Sequence, residues 1–360
     1  MPTRIKFQTS VTSAGIAVWL GGLLLALTAC RPPALPHKTF LVMGTVFTVT
    51  LPADRADYLE PAGVLSANAL YELENLLSFY RPDSDIGRLN QAAGAAPTPV
   101  APPTLAVLRA ARRYGELSAG AFDITVAPLL QTWGLRGGAP PRQPPAAAEL
   151  DAARRRVDFR RLEIGNQTAR LAQPDMQLDL GGIAKGFAVD EVARIMVKHG
   201  LTNVLLNLGG NLRALGASAP GQAWRIAVQN PFVPGQVLGV LELRDGEAAA
   251  TSGNYERFVT IDGRRYAHIL DPRTGRPTSG MAGVTVIGGG ADAAMDADAL
   301  STTLFVMGIE SGAGFLKSHF PGHAALFVPD RQPLEIHVTA EFAARFTPAP
   351  DQAGCIRLIP

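Results

Sequence analysis

The chain has 360 residues, 47% hydrophobic and 18% charged, with a net charge of +2. A balance so near zero excludes the basic footprint of a nucleic-acid binder. Two cysteines exclude both a disulfide framework and a thiolate metal cluster.

The N-terminus reads as an export signal. Arg4 and Lys6 precede an uncharged apolar stretch from Ala14 to Leu27, followed by Leu27-Thr28-Ala29-Cys30. A spanning helix needs about 20 apolar residues, so residues 1–29 are expected to be a signal peptide. A cysteine directly after small residues is similar to a bacterial lipobox, which would make Cys30 an acylated mature N-terminus; an ordinary secretory signal with a chance cysteine is the plainer reading. Pro32, Pro33 and Pro36 then make residues 30–38 a stiff tether. The remaining chain is long enough for one large or two ordinary domains. It contains no second stretch able to span a bilayer, and the expected domain covers 39–345, with 346–360 as a C-terminal tail.

Within that body, Phe47–Leu51 alternates and is β-branched, which predicts a strand. Gly63–Leu77 and Pro103–Leu117 carry apolar residues at helical spacing. Gly137–Pro145 is a Gly/Pro-rich loop that could separate two lobes. Ala184–His199 is a helix stopped by Gly200, and Asn203–Leu208 a buried strand ending in two glycines. Strands follow at Trp224–Val228, Val237–Leu243, Val284–Ile287 and Ala324–Val328, with a helix at Ala291–Val306 closed by Gly308. Helices and strands interleave without a βαβ period, so the fold class is α+β.

Three constellations carry chemistry. Asp179-Leu180-Gly181-Gly182-Ile183-Ala184-Lys185-Gly186 opens a helix, where free backbone N–H groups and a lysine can cradle a phosphate; the same pattern also makes a plain tight turn. On the helix at 291–306, Asp298 and Thr302 stand four apart on one face, a carboxylate and a hydroxyl suited to Mg²⁺. The alternative is an acidic first turn favoured by the helix dipole, the preferred reading for Asp292 and Asp296. Tyr266–Gly275 delivers His268 from a strand into a Pro/Gly turn: a proton acceptor near a phosphoryl centre, or a structural histidine. Unperturbed, it would titrate near 6.5. Asp271 before Pro272 is a turn opener in its own right. Phe79–Asn90 and Gly120–Leu129 offer aromatic side chains that could cover a planar ligand, or simply core.

The order Met43-Gly44-Thr45, Tyr80-Arg81, Gly120–Asp123, Asp179–Gly186, Asn207–Asn211, Thr251-Ser252-Gly253, His268–Gly275 and Asp298–Thr302 resembles the ApbE family from about Phe40 to Val328. These are periplasmic FAD:protein FMN transferases, often lipoproteins. The resemblance implies a mixed α/β domain whose antiparallel and mixed sheets are flanked by helices. It implies FAD contacts at Met43, Tyr80, Ala121, Phe122, Asp123, Asp179, Lys185 and Leu270. It implies Mg²⁺ ligands at the Gly182 carbonyl, Asp298 and Thr302, and a catalytic histidine at His268. Some members carry an aspartate where Ser301 stands, so a ligand role there is in doubt. The implied reaction moves FMN from FAD to a threonine hydroxyl of an exported redox protein and releases AMP. The alternatives are a Mg²⁺-dependent FAD pyrophosphatase and a flavin-binding lipoprotein without catalysis. The protein would face the periplasm, anchored by lipid to the inner or the outer membrane.

Overall fold

A computed structural model describes residues 34–137 and 141–360. The expected signal peptide, Cys30, Pro32 and Pro33 lie outside the described residues. Residues 35–360 form one compact unit, so the Gly/Pro-rich loop at 137–145 divides no lobes.

Nine strands build the central sheet: β1 His37–Val42, β2 Thr45–Thr50, β3 Val204–Leu208, β4 Asn211–Leu215, β5 Glu247–Gly253, β6 Met281–Gly289, β7 His323–Pro329, β8 Ile336–Thr339 and β9 Ile356–Ile359. They lie side by side in chain order. Every neighbouring pair is antiparallel except the last, β8 with β9. The α+β reading with mixed sheets therefore holds, and sequential antiparallel pairing is why no βαβ period exists.

The central strands are covered on both faces. Helices α1 (Leu59–Leu77), α2 (Asp85–Gln91), α3 (Pro102–Leu117), α4 (Ala184–Lys198), α5 (Ala293–Met307) and α6 (Ile309–His319) contribute to one large core. A three-stranded sheet of Trp224–Gln229, Val237–Leu243 and Phe346–Pro348 packs on the opposite face. In β6, Val284 and Val286 join the helical core and Ile287 the second one. Eight of its nine residues are buried, which explains an apolar run rather than an alternation. Helix α5 is likewise buried on nearly every side, between α4 and strands β5 and β6.

A third, small core holds Leu129, Trp133, Leu150, Val259, Ile261 and Leu270. It supports the hairpin Phe258–Ile261/Arg264–Ala267, which hands the chain to His268.

Two expected boundaries are corrected. His37 and Lys38 belong to β1, not to the tether. The segment 346–360 is no tail: it supplies the edge of the three-stranded sheet and the last strand of the central one. Phe346 is buried against Phe342, and Ile356 pairs with Ile336; short, turn-interrupted strands give too little alternation to be legible.

Candidate active site

The glycine-rich turn and α5 meet at a close helix crossing. A Cβ on Gly186 would overlap the Ala294 carbonyl and come within 2.7 Å of Asp298 Cβ, so only glycine lets α4 approach α5 this closely. Contact at that distance lets the Gly186 N–H donate to Asp298 Oδ2 at 2.9 Å. Lys185 Nζ lies 3.6 Å from Asp298 Oδ1 and donates to the Gly181 carbonyl at 2.8 Å. One turn further along α5, Thr302 faces Gly182, whose added Cβ would stand 3.1 Å from Thr302 Oγ1 and 3.3 Å from the Phe122 ring. The three expected metal ligands and Lys185 thus share one corner.

Asp298 is only 4% exposed, and burial pushes its carboxyl up from the ordinary range against the pull of Lys185 and of the Gly186 N–H. Ser301 donates to the Asp298 carbonyl at 2.9 Å and shares a 2.9 Å hydrogen bond with Ser252, which stands 3.2 Å from Thr302 Oγ1. Its hydroxyl is engaged within the protein and reaches the corner only through Ser252. Of the acidic residues before it, Asp292 is solvated at the helix start as expected, an exposed partner of Arg194. Asp296 is no solvated first-turn residue: it accepts from Tyr114 and lies 3.7 Å from His323.

The wall beside this corner is held by backbone clamps. Asp179 Oδ1 accepts from the Gly181 N–H at 2.8 Å and shapes the glycine turn. The Asp179 N–H donates to the Ile124 carbonyl at 2.7 Å, tying the turn to the 121–125 segment. There, Ala121 and Phe122 are buried, and Phe122 packs edge-on to Tyr114. Asp123 is buried too. Its oxygens accept from the Thr125 N–H and hydroxyl at 2.7 Å each and from the Phe159 N–H at 2.9 Å. Burial dominates and raises its pKa to about 6. Both oxygens are thus spent on protein donors. Tyr80, by contrast, is 68% exposed, its ring backed by Phe79 at 4.0 Å.

His268 Nδ1 lies 2.9 Å from the Arg257 carbonyl. A carbonyl only accepts, so Nδ1 carries the proton and Nε2 keeps its lone pair. Burial lowers the pKa to about 4, with Lys185 adding to the fall and Asp179 opposing it. The expected titration near 6.5 is corrected accordingly: the imidazole is neutral throughout the neutral range. Asp271 is committed to its turn, both oxygens being held by Arg273 at 2.9–3.0 Å. Leu270 buries its side chain in the small core. Met43 occupies the β1–β2 turn with a left-handed backbone (φ 51°) and a half-buried side chain on the main core.

A model of the ApbE family matches residues 43–327. The chain belongs to the ApbE family. An ApbE-family relative from Vibrio cholerae, named FAD:protein FMN transferase, is 36% identical over 307 residues, covering 82% of this chain and 89% of the relative. One of the same name from Treponema pallidum is 36% identical over 316 residues, 81% and 84% of the two chains. The solved flavin transferase ApbE of Vibrio cholerae superposes with a TM-score of 0.75 at 32% identity, over 86% of this chain and 98% of that one.

Sequence reasoning missed three residues of this ApbE-family site and left a fourth, Phe79, between a cover for a planar ligand and plain core. Ser252 sat inside a recognised motif without a role. Arg257, which orients His268, precedes it by eleven residues across a hairpin. Arg136 lies just before the Gly/Pro-rich loop, in a bend whose composition carries no signal for a buried guanidinium.

Proposed function

We propose that the chain is an FAD:protein FMN transferase that passes FMN from FAD to a threonine hydroxyl of an exported redox protein and releases AMP. The observation that carries this reading is His268, fixed through Nδ1 on the Arg257 carbonyl and near enough to Lys185 and Asp179 to feel their charges. The His268 Nε2 lone pair accepts the hydroxyl proton; the oxygen attacks the FMN-side phosphorus; the phosphorus–oxygen bond to AMP breaks. Lys185 holds the pyrophosphate by charge; the expected cradle of free N–H groups is corrected, because those of Gly181, Ile183, Ala184 and Gly186 donate to acceptors within the protein. Tyr80, backed by Phe79, offers an exposed face to a planar ring.

The donor set fits Mg²⁺: a buried carboxylate, a hydroxyl and a backbone carbonyl, all oxygen. Gly182, Asp298 and Thr302 would hold the ion, which when bound would neutralise charge on the pyrophosphate. Among the described residues no group of three or more His, Cys, Asp and Glu side chains forms a metal centre. That suits a cation that completes its shell with water and substrate oxygens.

Export and lipid attachment at Cys30 belong to the same proposal, supported by Arg4, Lys6 and the apolar run before Cys30. They place the enzyme on the periplasmic side of a membrane. Among the described residues no helix is long and apolar enough to cross one. Labelled fatty acid should enter the wild type and not Cys30→Ala; equal labelling would reject lipidation.

The activity is tested by incubating the protein with FAD, Mg²⁺ and a threonine-bearing acceptor domain and weighing the acceptor. A gain of one FMN supports the transferase. AMP release with no acceptor gain would replace it with the pyrophosphatase, and FAD binding without turnover with the non-catalytic flavoprotein.

A further inference from the structure

Arg136 has no place in the expected site, yet it is built into its wall. Its side chain is only 8% exposed. The guanidinium stacks over the Phe79 ring at 4.0 Å, on the residue that backs Tyr80. Nη1 donates to the Leu178 carbonyl at 3.0 Å, and Nε lies 3.8 Å from Asp179 Oδ2. Leu178 is pinned further by Asn90, whose side chain pairs with both its N–H and its carbonyl. The guanidinium is thus locked in position by an aromatic face, a carbonyl and a carboxylate. Among the described residues, Nη2 has no acceptor. Tyr80 lies close enough to influence its charge, and burial is the main influence on its pKa, pulling it down. A desolvated cation with one terminal nitrogen unspent, beside an exposed aromatic ring, is arranged to receive an acceptor from a bound molecule.

We propose that Arg136 is a substrate-binding residue: its Nη2 donates to a carbonyl oxygen or ring nitrogen on the edge of the heteroaromatic ring that stacks on Tyr80. This rests on the reading of FAD as substrate. FAD offers two such rings, the flavin and the adenine, and both present acceptors at an edge. The planar fork, rather than charge alone, sets the contact, because Phe79 fixes its plane.

The test uses the purified full-length protein and its variants R136Q and R136K, with FAD, FMN and ADP as probes by titration calorimetry, and a thermal melt as control. Removing a hydrogen bond from a charged donor is worth about tenfold to a hundredfold in affinity. R136Q is expected to weaken FAD by that factor with kcat at saturating FAD nearly unchanged, and R136K to recover only part of it. Loss confined to FMN assigns the flavin ring; loss confined to ADP assigns the adenine. Unchanged FAD affinity in R136Q with an unchanged melt overturns the proposal. So does an equal loss for both fragments accompanied by a lowered melt, which makes Arg136 a mere clamp on Leu178 and Phe79. If the wild type binds none of the three probes, the FAD reading itself fails, and the proposal with it.

Discussion

At the residue scale the chemistry turns on His268. The fixed Nδ1–Arg257 contact leaves one lone pair, and that lone pair survives to low pH. His268→Ala should bind FAD almost as well as wild type, since a general base acts chiefly in the transition state. Transfer should fall by about 10²–10⁴; flavin fluorescence and acceptor mass separate the two. The wild-type rate should show no loss attributable to this group down to about pH 5, and then fall as the imidazole protonates near 4. The same lowered pKa links to stability. Between about 6.5 and 4 the unfolded chain holds a proton on this histidine and the folded chain does not. The stabilisation is therefore complete above about 6.5 and declines as pH falls, levelling off near 4. Urea midpoints measured across that range should slope less in His268→Gln than in wild type. Asp298→Ala should abolish Mg²⁺-dependent turnover and weaken FAD less, because Lys185 and Tyr80 remain; full activity in that variant would reject the metal corner.

At the element scale the decisive contact is α4 against α5. Gly186→Ala forces the helices apart at the Ala294 carbonyl and should cost about 1–3 kcal/mol by overpacking. It should also weaken Mg²⁺ binding, because Asp298 moves away from Gly182. A Mg²⁺ titration alongside a melt would show both; an unchanged Mg²⁺ affinity would mean the crossing does not set the corner. The same helix pair depends on Asp190. This α4 carboxylate is 1% exposed and accepts from the Ala294 N–H at 3.2 Å and the Met295 N–H at 2.8 Å. It thereby satisfies the free first-turn donors of α5. Arg213 on β4 completes the pair at 3.1 Å and donates to the Gly290 carbonyl at 2.8 Å. Asp190→Ala leaves that guanidinium buried and unmatched, and should cost about 3–5 kcal/mol in a denaturant titration.

At the scale of the whole molecule, one sheet carries two covers, and the C-terminal fifteen residues belong to both sheets. Truncation after Arg345 removes Phe346 from the second core and β9 from the sheet edge. The truncated chain should melt well below wild type and expose apolar surface to a hydrophobic dye; an unaltered melt would restore the view of 346–360 as a dispensable tail.

Much of the site was written locally. Glycines at 181, 182 and 186, the four-residue spacing of Asp298 and Thr302, and a histidine leaving a strand are statements about neighbours in sequence. So are the helices closed by Gly200 and Gly308, both with left-handed backbone. These signals depend on backbone freedom, helix period and charge, which a chain carries before it folds. Tertiary structure decided the rest. It alone set the protonation of His268, because desolvation and the Arg257 carbonyl come from a hairpin packed beside it. It spent both Asp123 oxygens on backbone donors, turned Ser301 toward Ser252, and brought Arg136 from a featureless bend onto Phe79. Burial and hydrogen-bond partners are properties of the assembled core, and residues that meet across 11 to 57 positions of chain leave no pattern in the string that encodes them.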